Sequence, residues 1–257
     1  MDRNLMGCSL QAFLPGYRSD AVNLGVRRSL DNPDVGTVFL HRLGNVEGLT
    51  ISATSAYAPK DAIKALDKAR DEQKKQKWDD AQKQLDKAVN LYPKYAAAWY
   101  ELGNVQLQQR NSEAARQSYA KALEADPKFV SPYQQLAALA ARDEKWQDVA
   151  DDTDRLLKLN PIDFPQAWMF NAVANFNLKK FDLAEKSAQE CVSRDSSHRY
   201  PKMNLLLGVL LAQKQDYSGA AQNLRNYLQY SPKAEDAEQV RRQLAEVEKF
   251  LTPEAQK

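Results

Sequence analysis

The segment AWYELGNVQLQQRNSEAARQSYAKALEADPK, residues 98–128, decides the fold. It nearly fills one turn of a 34-residue period that runs through the chain: Pro93, Pro127 and Pro161 are spaced by that interval, and Trp78 and Trp146 lie two intervals apart. A fixed period of this length means stacked helix pairs, each too small to bury its own apolar face, rather than one closed globule. The prolines end the second helix of each pair, because proline lacks the amide donor and clashes with the preceding helical turn. The expected work of such a chain is holding other proteins, not turning over a substrate.

With Trp99 as position 4 of a unit, the repeats fall at 62–95, 96–129, 130–163, 165–198 and 201–234. Position 8 reads Ala69, Gly103, Ala137, Ala172 and Gly208, small in every unit, as needed where two helices approach closely. Position 20 reads Ala81, Ala115, Val149, Ala184 and Ala220, and position 27 begins Ala88 and Ala122 before Leu156, Cys191 and Tyr227. Cys191 is therefore expected in the core. Trp99 and Trp168 fall at position 4, and Trp78, Trp146, Phe181 and Tyr217 open the second helix at position 17. Rings at helical spacing are expected to pack rather than line a cofactor site.

These columns resemble the tetratricopeptide repeat, best in the second unit with Trp99, Leu102, Gly103, Ala115, Tyr119, Ala122 and Pro127. The resemblance implies a mainly α protein: a right-handed α-solenoid of five helix hairpins over residues 58–234. Departures are legible too. Lys68 and Asn171 stand at position 7 where the pattern wants Leu, and Ser196 to Tyr200 lengthen the turn into the fifth unit, where a local change of superhelix angle is expected. In residues 235–257, Ala237, Val240, Leu244, Val247 and Leu251 form one apolar helical stripe, with Glu238, Arg241, Arg242, Glu246 and Lys249 expected in water. This reads as a capping helix over the last repeat.

Residues 1–57 have a different texture. Cys8, Leu10, Ala12 and Leu14 alternate, as do Val22, Leu24 and Val26, and Val38, Leu40, Leu49 and Ile51 follow between turn residues. Short antiparallel strands are expected, with Cys8 buried in one of them. Residues 7–43, with the turn Leu14-Pro15-Gly16-Tyr17, resemble the closing strands of a carboxypeptidase regulatory-like β-sandwich. That resemblance implies a partial domain whose remaining strands lie upstream of Met1, and the alternative is a small strand cluster packed on the first repeat.

Charge excludes some functions. A net charge of +2 arises from interleaved acids and bases, without the basic patch that nucleic acid requires. No apolar run reaches the ~18 residues of a membrane span, and MDRNLMGCSL lacks the apolar core of a secretory signal. The chain as written is expected in the cytoplasm, or in the periplasm or cell envelope if the natural start lies upstream. His41 and His198 form no metal-ligand spacing, no phosphate loop or nucleophile motif is present, and Asp151, Asp152 and Asp154 read as a solvated helix face. No catalytic residue, metal or cofactor is expected.

The resemblance implies a concave groove faced by positions 2, 5, 9, 12 and 13 of the first helices. Here those include Arg70, Lys74, Tyr100, Asn104, Gln108, Gln134, Arg142, Met169, Phe176, Asn177, Lys202, Leu205 and Gln213. Amides suit an extended peptide backbone, Tyr100, Met169 and Phe176 suit apolar anchors, and Arg70, Arg142 and Lys202 favour acidic groups. The Lys and Asn clamp of chaperone-tail binders in this family fails, since Tyr100, Gln135, Gln166 and Phe170 replace all but Asn104. The expected function is a protein-interaction scaffold holding a peptide or partner segment. The alternative is an assembly subunit that self-associates through the N-terminal strands or a solenoid end.

Overall fold

The computed structural model describes residues 9–14, 17–24, 37–42, 44 and 46–251. The expectation for Cys8, most of the turn at Leu14 to Tyr17, and the tail 252–257 lie outside them. Ten helices form five antiparallel hairpins: α1 (Lys60–Lys74) with α2 (Trp78–Leu91), α3 (Ala96–Gln108) with α4 (Ser112–Ala125), α5 (Val130–Arg142) with α6 (Trp146–Leu159), α7 (Pro165–Asn177) with α8 (Phe181–Arg194), and α9 (Lys202–Gln213) with α10 (Tyr217–Tyr230). An eleventh, α11 (Ala237–Lys249), packs on α10. Each second helix packs on the first helix of the next unit, so the core is a row of linked clusters, as a solenoid requires.

The repeat columns have direct physical causes. Trp99 donates its indole N–H to the Pro93 carbonyl at 2.8 Å, and Trp168 does the same to Pro161 at 2.9 Å. The tryptophan of one unit thereby satisfies the carbonyl at the proline that closes the unit before it. Positions 8 and 24 are matched in size: an added Cβ at Gly103 would sit 2.5 Å from the Tyr119 ring, and one at Gly208 would sit 2.7 Å from Leu224. Cys191 is fully buried and its thiol is pushed up to about 12, first by desolvation and then by Asp195, as its core position implies.

The turn inside every hairpin is built identically. Gln76, Arg110, Glu144, Lys179 and Gln215 have φ of 60°, 63°, 54°, 60° and 64°. In the second unit, Arg110 N–H bonds Leu107 O at 2.9 Å and Asn111 N–H bonds Gln106 O at 2.8 Å, and the same pair recurs in the other four. These are Schellman caps without their usual glycine, so each holds an L-residue in the left-handed region.

The departures also have causes. Asn171, where the repeat wants Leu, is buried and donates to Thr153 Oγ1 at 2.8 Å and Asp154 at 2.7 Å. Its oxygen accepts from Asn175 at 2.8 Å and Ser187 at 2.7 Å. A satisfied polar network therefore replaces an apolar contact between α6, α7 and α8. The reading of the acidic cluster as wholly solvated fails at Asp152: half-buried on α6, its carboxyl is pushed up to about 6, mainly by desolvation.

The N-terminal strands are β1 (Ser9–Leu10), β2 (Phe13–Leu14), β3 (Tyr17–Ser19), β4 (Val22–Asn23) and β5 (Leu40–Arg42). They form two small antiparallel sheets, β1-β4 and β2-β3-β5. Strands of two or three residues bury little, and no closed sandwich forms among the described residues. Leu49 and Ile51 do not extend these sheets as the alternation suggests. Leu49 instead bridges Phe129 in parallel, and Ile51 is exposed. Residues 46–58, including a short 3-10 helix at Ala53–Tyr57, run back along the turns between repeats to enter α1.

Candidate functional site

The first helices of successive units, α1, α3, α5, α7 and α9, carry the expected groove residues, and the structure divides them into several groups. In the first unit Arg70 is engaged by Asp67 at 3.8 Å and Glu101 at 3.6 Å, and Lys74 by Asp71 at 3.0 Å. Tyr100 is half-buried, its ring 5.8 Å from Tyr119 and 5.3 Å from Phe129. Asn104 accepts the Tyr119 hydroxyl at 2.8 Å, while Gln108 is exposed. These groups brace the solenoid as much as they face outward.

Further along, Gln134 donates to Gln166 at 2.8 Å and links α5 to α7. Arg142 donates to Ser112 at 3.0 Å and Asp143 at 3.3 Å at the hairpin-turn end of its helix. Met169 and Leu205 are half-buried against the clusters around Cys191 and Tyr227. Phe176 stacks obliquely on Phe181 at 5.7 Å, Asn177 bonds the Val173 carbonyl at 2.8 Å, and Lys202 is exposed at the start of α9. The thirteen residues therefore do not converge on one spot.

Gln213 alone of them lines an open apolar concavity, a pocket of about 560 Å³ between the last hairpin and α11. Its walls are Gly208, Val209, Ala212 and Gln213 on α9, Leu224 on α10, and Gln239, Arg242, Gln243, Glu246 and Val247 on α11. Val209, Ala212 and Gln213 occupy positions 9, 12 and 13 of the fifth unit, the same register as Asn104, Leu107 and Gln108 in the second. Gly208 lies close against Leu224, which leaves no room there for a side chain. Gln243 Oε1 is buried with no hydrogen-bond donor against it.

Sequence reading missed this pocket because it treated α11 only as a lid. Ala237 and Val240 are buried as a cap requires, but Leu244 and Val247 are half-buried and Leu251 is exposed. Phe250 instead stacks on Tyr217, centroids 4.4 Å apart. The signal was present in α9, KMNLLLGVLLAQ, which is apolar around nearly its whole circumference and so has more apolar surface than one packing face uses.

Among the described residues no cluster of three His, Cys, Asp or Glu could hold a metal, and no helix is long and apolar enough to cross a membrane.

Comparison with known proteins agrees with this architecture. Residues 66–128 match the tetratricopeptide repeat family model. No curated protein sequence matches the chain. Among solved structures, YrrB, a TPR protein with an unusual peptide-binding site, is similar with 21% identity and a TM-score of 0.62, covering 76% of this chain and 100% of YrrB. A tetratricopeptide repeat protein from Parabacteroides merdae is similar with 18% identity and a TM-score of 0.59, covering 74% of each chain. The protein MamA is similar with 16% identity and a TM-score of 0.58, covering 68% of this chain and 93% of MamA. The carboxypeptidase regulatory-like resemblance of residues 7–43 finds no counterpart among these matches. Residues 66–128 thus carry tetratricopeptide repeats, and the repeat register, the hairpin geometry and the structural neighbours give the five hairpins a fold similar to that of tetratricopeptide repeat proteins.

Proposed function

We propose that this chain is a non-catalytic interaction scaffold that holds an extended partner segment along the faces of its first helices, anchored in the pocket between α9 and α11. The observation that carries this reading is the apolar lining of that pocket by Val209, Ala212, Leu224 and Val247, rimmed by Gln213, Gln239, Gln243 and Arg242. Small ligand sites combine an apolar body with a few polar groups that fix orientation, and this pocket has both. Burying one large apolar side chain there is worth about 1.5–3 kcal/mol, or about 10- to 150-fold in affinity. That YrrB is a peptide-binding relative in fold supports the same reading.

The test is selection of binders from a random peptide library, with affinities then measured on the intact chain and on the Ala212→Glu and Val209→Arg variants. Helical circular dichroism should be unchanged while affinity falls at least about tenfold. Selected peptides that bind all three proteins equally would remove the pocket from the proposal, and peptides lost only on Tyr100→Ala or Phe176→Ala would move the site toward the middle repeats.

A second reading, self-association through the N-terminal strands, is favoured by the exposure of Leu10 on β1 and of Phe39 and Leu40 at β5, the edge strand of the other sheet. Sedimentation of the intact chain as a monomer at high concentration would remove it.

A further inference from the structure

Residues 46–54 cross three consecutive inter-repeat turns, and almost all of their recognition is through main chain and hydroxyls. The N–H groups of Glu47 and Gly48 both donate to Leu159 O, the last carbonyl of α6, at 2.9 and 3.1 Å. Leu49 donates to Lys128 O at 3.1 Å and accepts from Val130 N–H, the first residue of α5, at 3.0 Å. Ser52 donates to Asp126 Oδ2 at 2.7 Å, beside the Ala53 N–H at 2.9 Å, and Thr54 Oγ1 accepts from Ala96 N–H at the start of α3 at 3.2 Å. The segment thus satisfies backbone groups that helix ends leave without partners.

Gly48 marks the point of closest approach: an added Cβ would lie 2.4 Å from Val130 Cγ1 and 2.7 Å from Leu159 Cβ. The large side chains of the segment contribute little burial, since Leu49 is 45% and Ile51 76% exposed. Ser52 and Asp126, by contrast, are buried. A segment held by directional bonds at a solvent-facing edge, with little apolar area, opens at lower free energy than the helices beneath it, because water can replace the bonds it loses.

We infer that the inter-repeat edge of the first four units is a binding track for an extended segment, and that residues 46–54 are its resident, displaceable occupant. The ligand chemistry of the track is a glycine at the Val130–Leu159 contact, a strand residue that pairs with the 128–130 backbone, and a hydroxyl three residues further on for Asp126. While seated, the strap ties the turns after α2, α4 and α6 to one another and fixes their spacing. Release lets these units change curvature, and with it the shape of the groove they line.

Hydrogen exchange with peptide-level mass spectrometry on the full chain tests this. The amides of residues 47–49 and 53 should exchange together and at least about tenfold faster than those within α3 to α6. Gly48→Val, and separately Ser52→Ala, should accelerate that set by about tenfold or more while α7 to α11 are unchanged. A synthetic peptide spanning residues 44–58, added to the Gly48→Val chain, should restore slow exchange at Val130 and Ala96, and a peptide with the same glycine replaced should not. Strap amides that exchange at the rate of the helical core would overturn the inference, as would variant effects spread evenly through all five units. Failure of the peptide to restore protection at Val130 would refute the track. None of these outcomes depends on the pocket between α9 and α11.

Discussion

Replacing Gly103 by alanine pits the repeat pattern against the packing. Three of the five units already carry alanine at this position, Ala69, Ala137 and Ala172, and Gly103 lies inside α3. By helix propensity alone the substitution should stabilise by about 1 kcal/mol. The structure gives the opposite sign. The new Cβ would lie 2.5 Å from Cε1, 2.7 Å from Cδ1 and 2.9 Å from Cζ of Tyr119. That ring cannot swing aside, because it is fully buried, packed against Tyr100, and held by its hydroxyl to Asn104 at 2.8 Å. Overpacking of this kind costs about 1–3 kcal/mol, which leaves a net loss of up to about 2 kcal/mol once propensity is credited. At about 2–4 °C per kcal/mol for a chain of this size, Tm should fall by up to about 8 °C. Urea and thermal unfolding followed by circular dichroism measure this directly. In a Tyr119→Leu background the cost of Gly103→Ala should vanish, since the first unit accommodates Ala69 and Leu85 at the same two positions, giving a coupling of at least about 1 kcal/mol in the double-mutant cycle. A rise in Tm for Gly103→Ala alone, or equal effects in both backgrounds, would refute the size-matching argument.

Three further outcomes are expected. Arg110→Gly should raise stability by about 0.5–1 kcal/mol and Arg110→Val should lower it by about 1 kcal/mol, read from urea midpoints, because φ is 63° there. Asn171→Ala should cost about 2–4 kcal/mol by leaving the buried Ser187 and Thr153 hydroxyls without that partner, and an unchanged urea midpoint would refute the network. In the folded chain the Asp152 carboxyl is pushed up to about 6 from the ordinary aspartate range near 3.8, by desolvation opposed by Arg155 and Arg116 and reinforced by Asp148 and Asp151. The folded chain therefore binds that proton more tightly than the unfolded one, so its contribution to stability falls as pH rises from about 4 to about 6 and is flat beyond. Asp152→Asn should flatten that part of the stability curve, and a chain whose slope is unaltered by the change would contradict the assignment.

The periodic part of the chain was legible because each column has a local cause that repeats. Trp99 and Trp168 recur with Pro93 and Pro161 because an indole N–H and a turn carbonyl bond each other, and small residues recur at position 8 because a facing side chain fills the space. Asn171 was visible as an exception, yet its reason was not, because its partners Thr153, Asp154, Asn175 and Ser187 lie on three helices. Asp152 looked like its solvated neighbours for the same reason. Desolvation depends on what packs overhead, which spacing along one helix does not encode.

What the sequence by itself determined is the solenoid: the helical hairpin architecture and the core placement of Cys191 follow from a period in which each hairpin packs on its neighbours in sequence. What only the tertiary structure decided lies between elements far apart along the chain. The course of residues 46–58 over the turns near 96, 128 and 159 rests on backbone bonds, which any residue can make and which leave no side-chain signature. The pocket between α9 and α11 depends on how a terminal helix meets the last repeat, and that helix docks through Val240, which belongs to no repeating column and packs in one cluster with Leu224 and Tyr227.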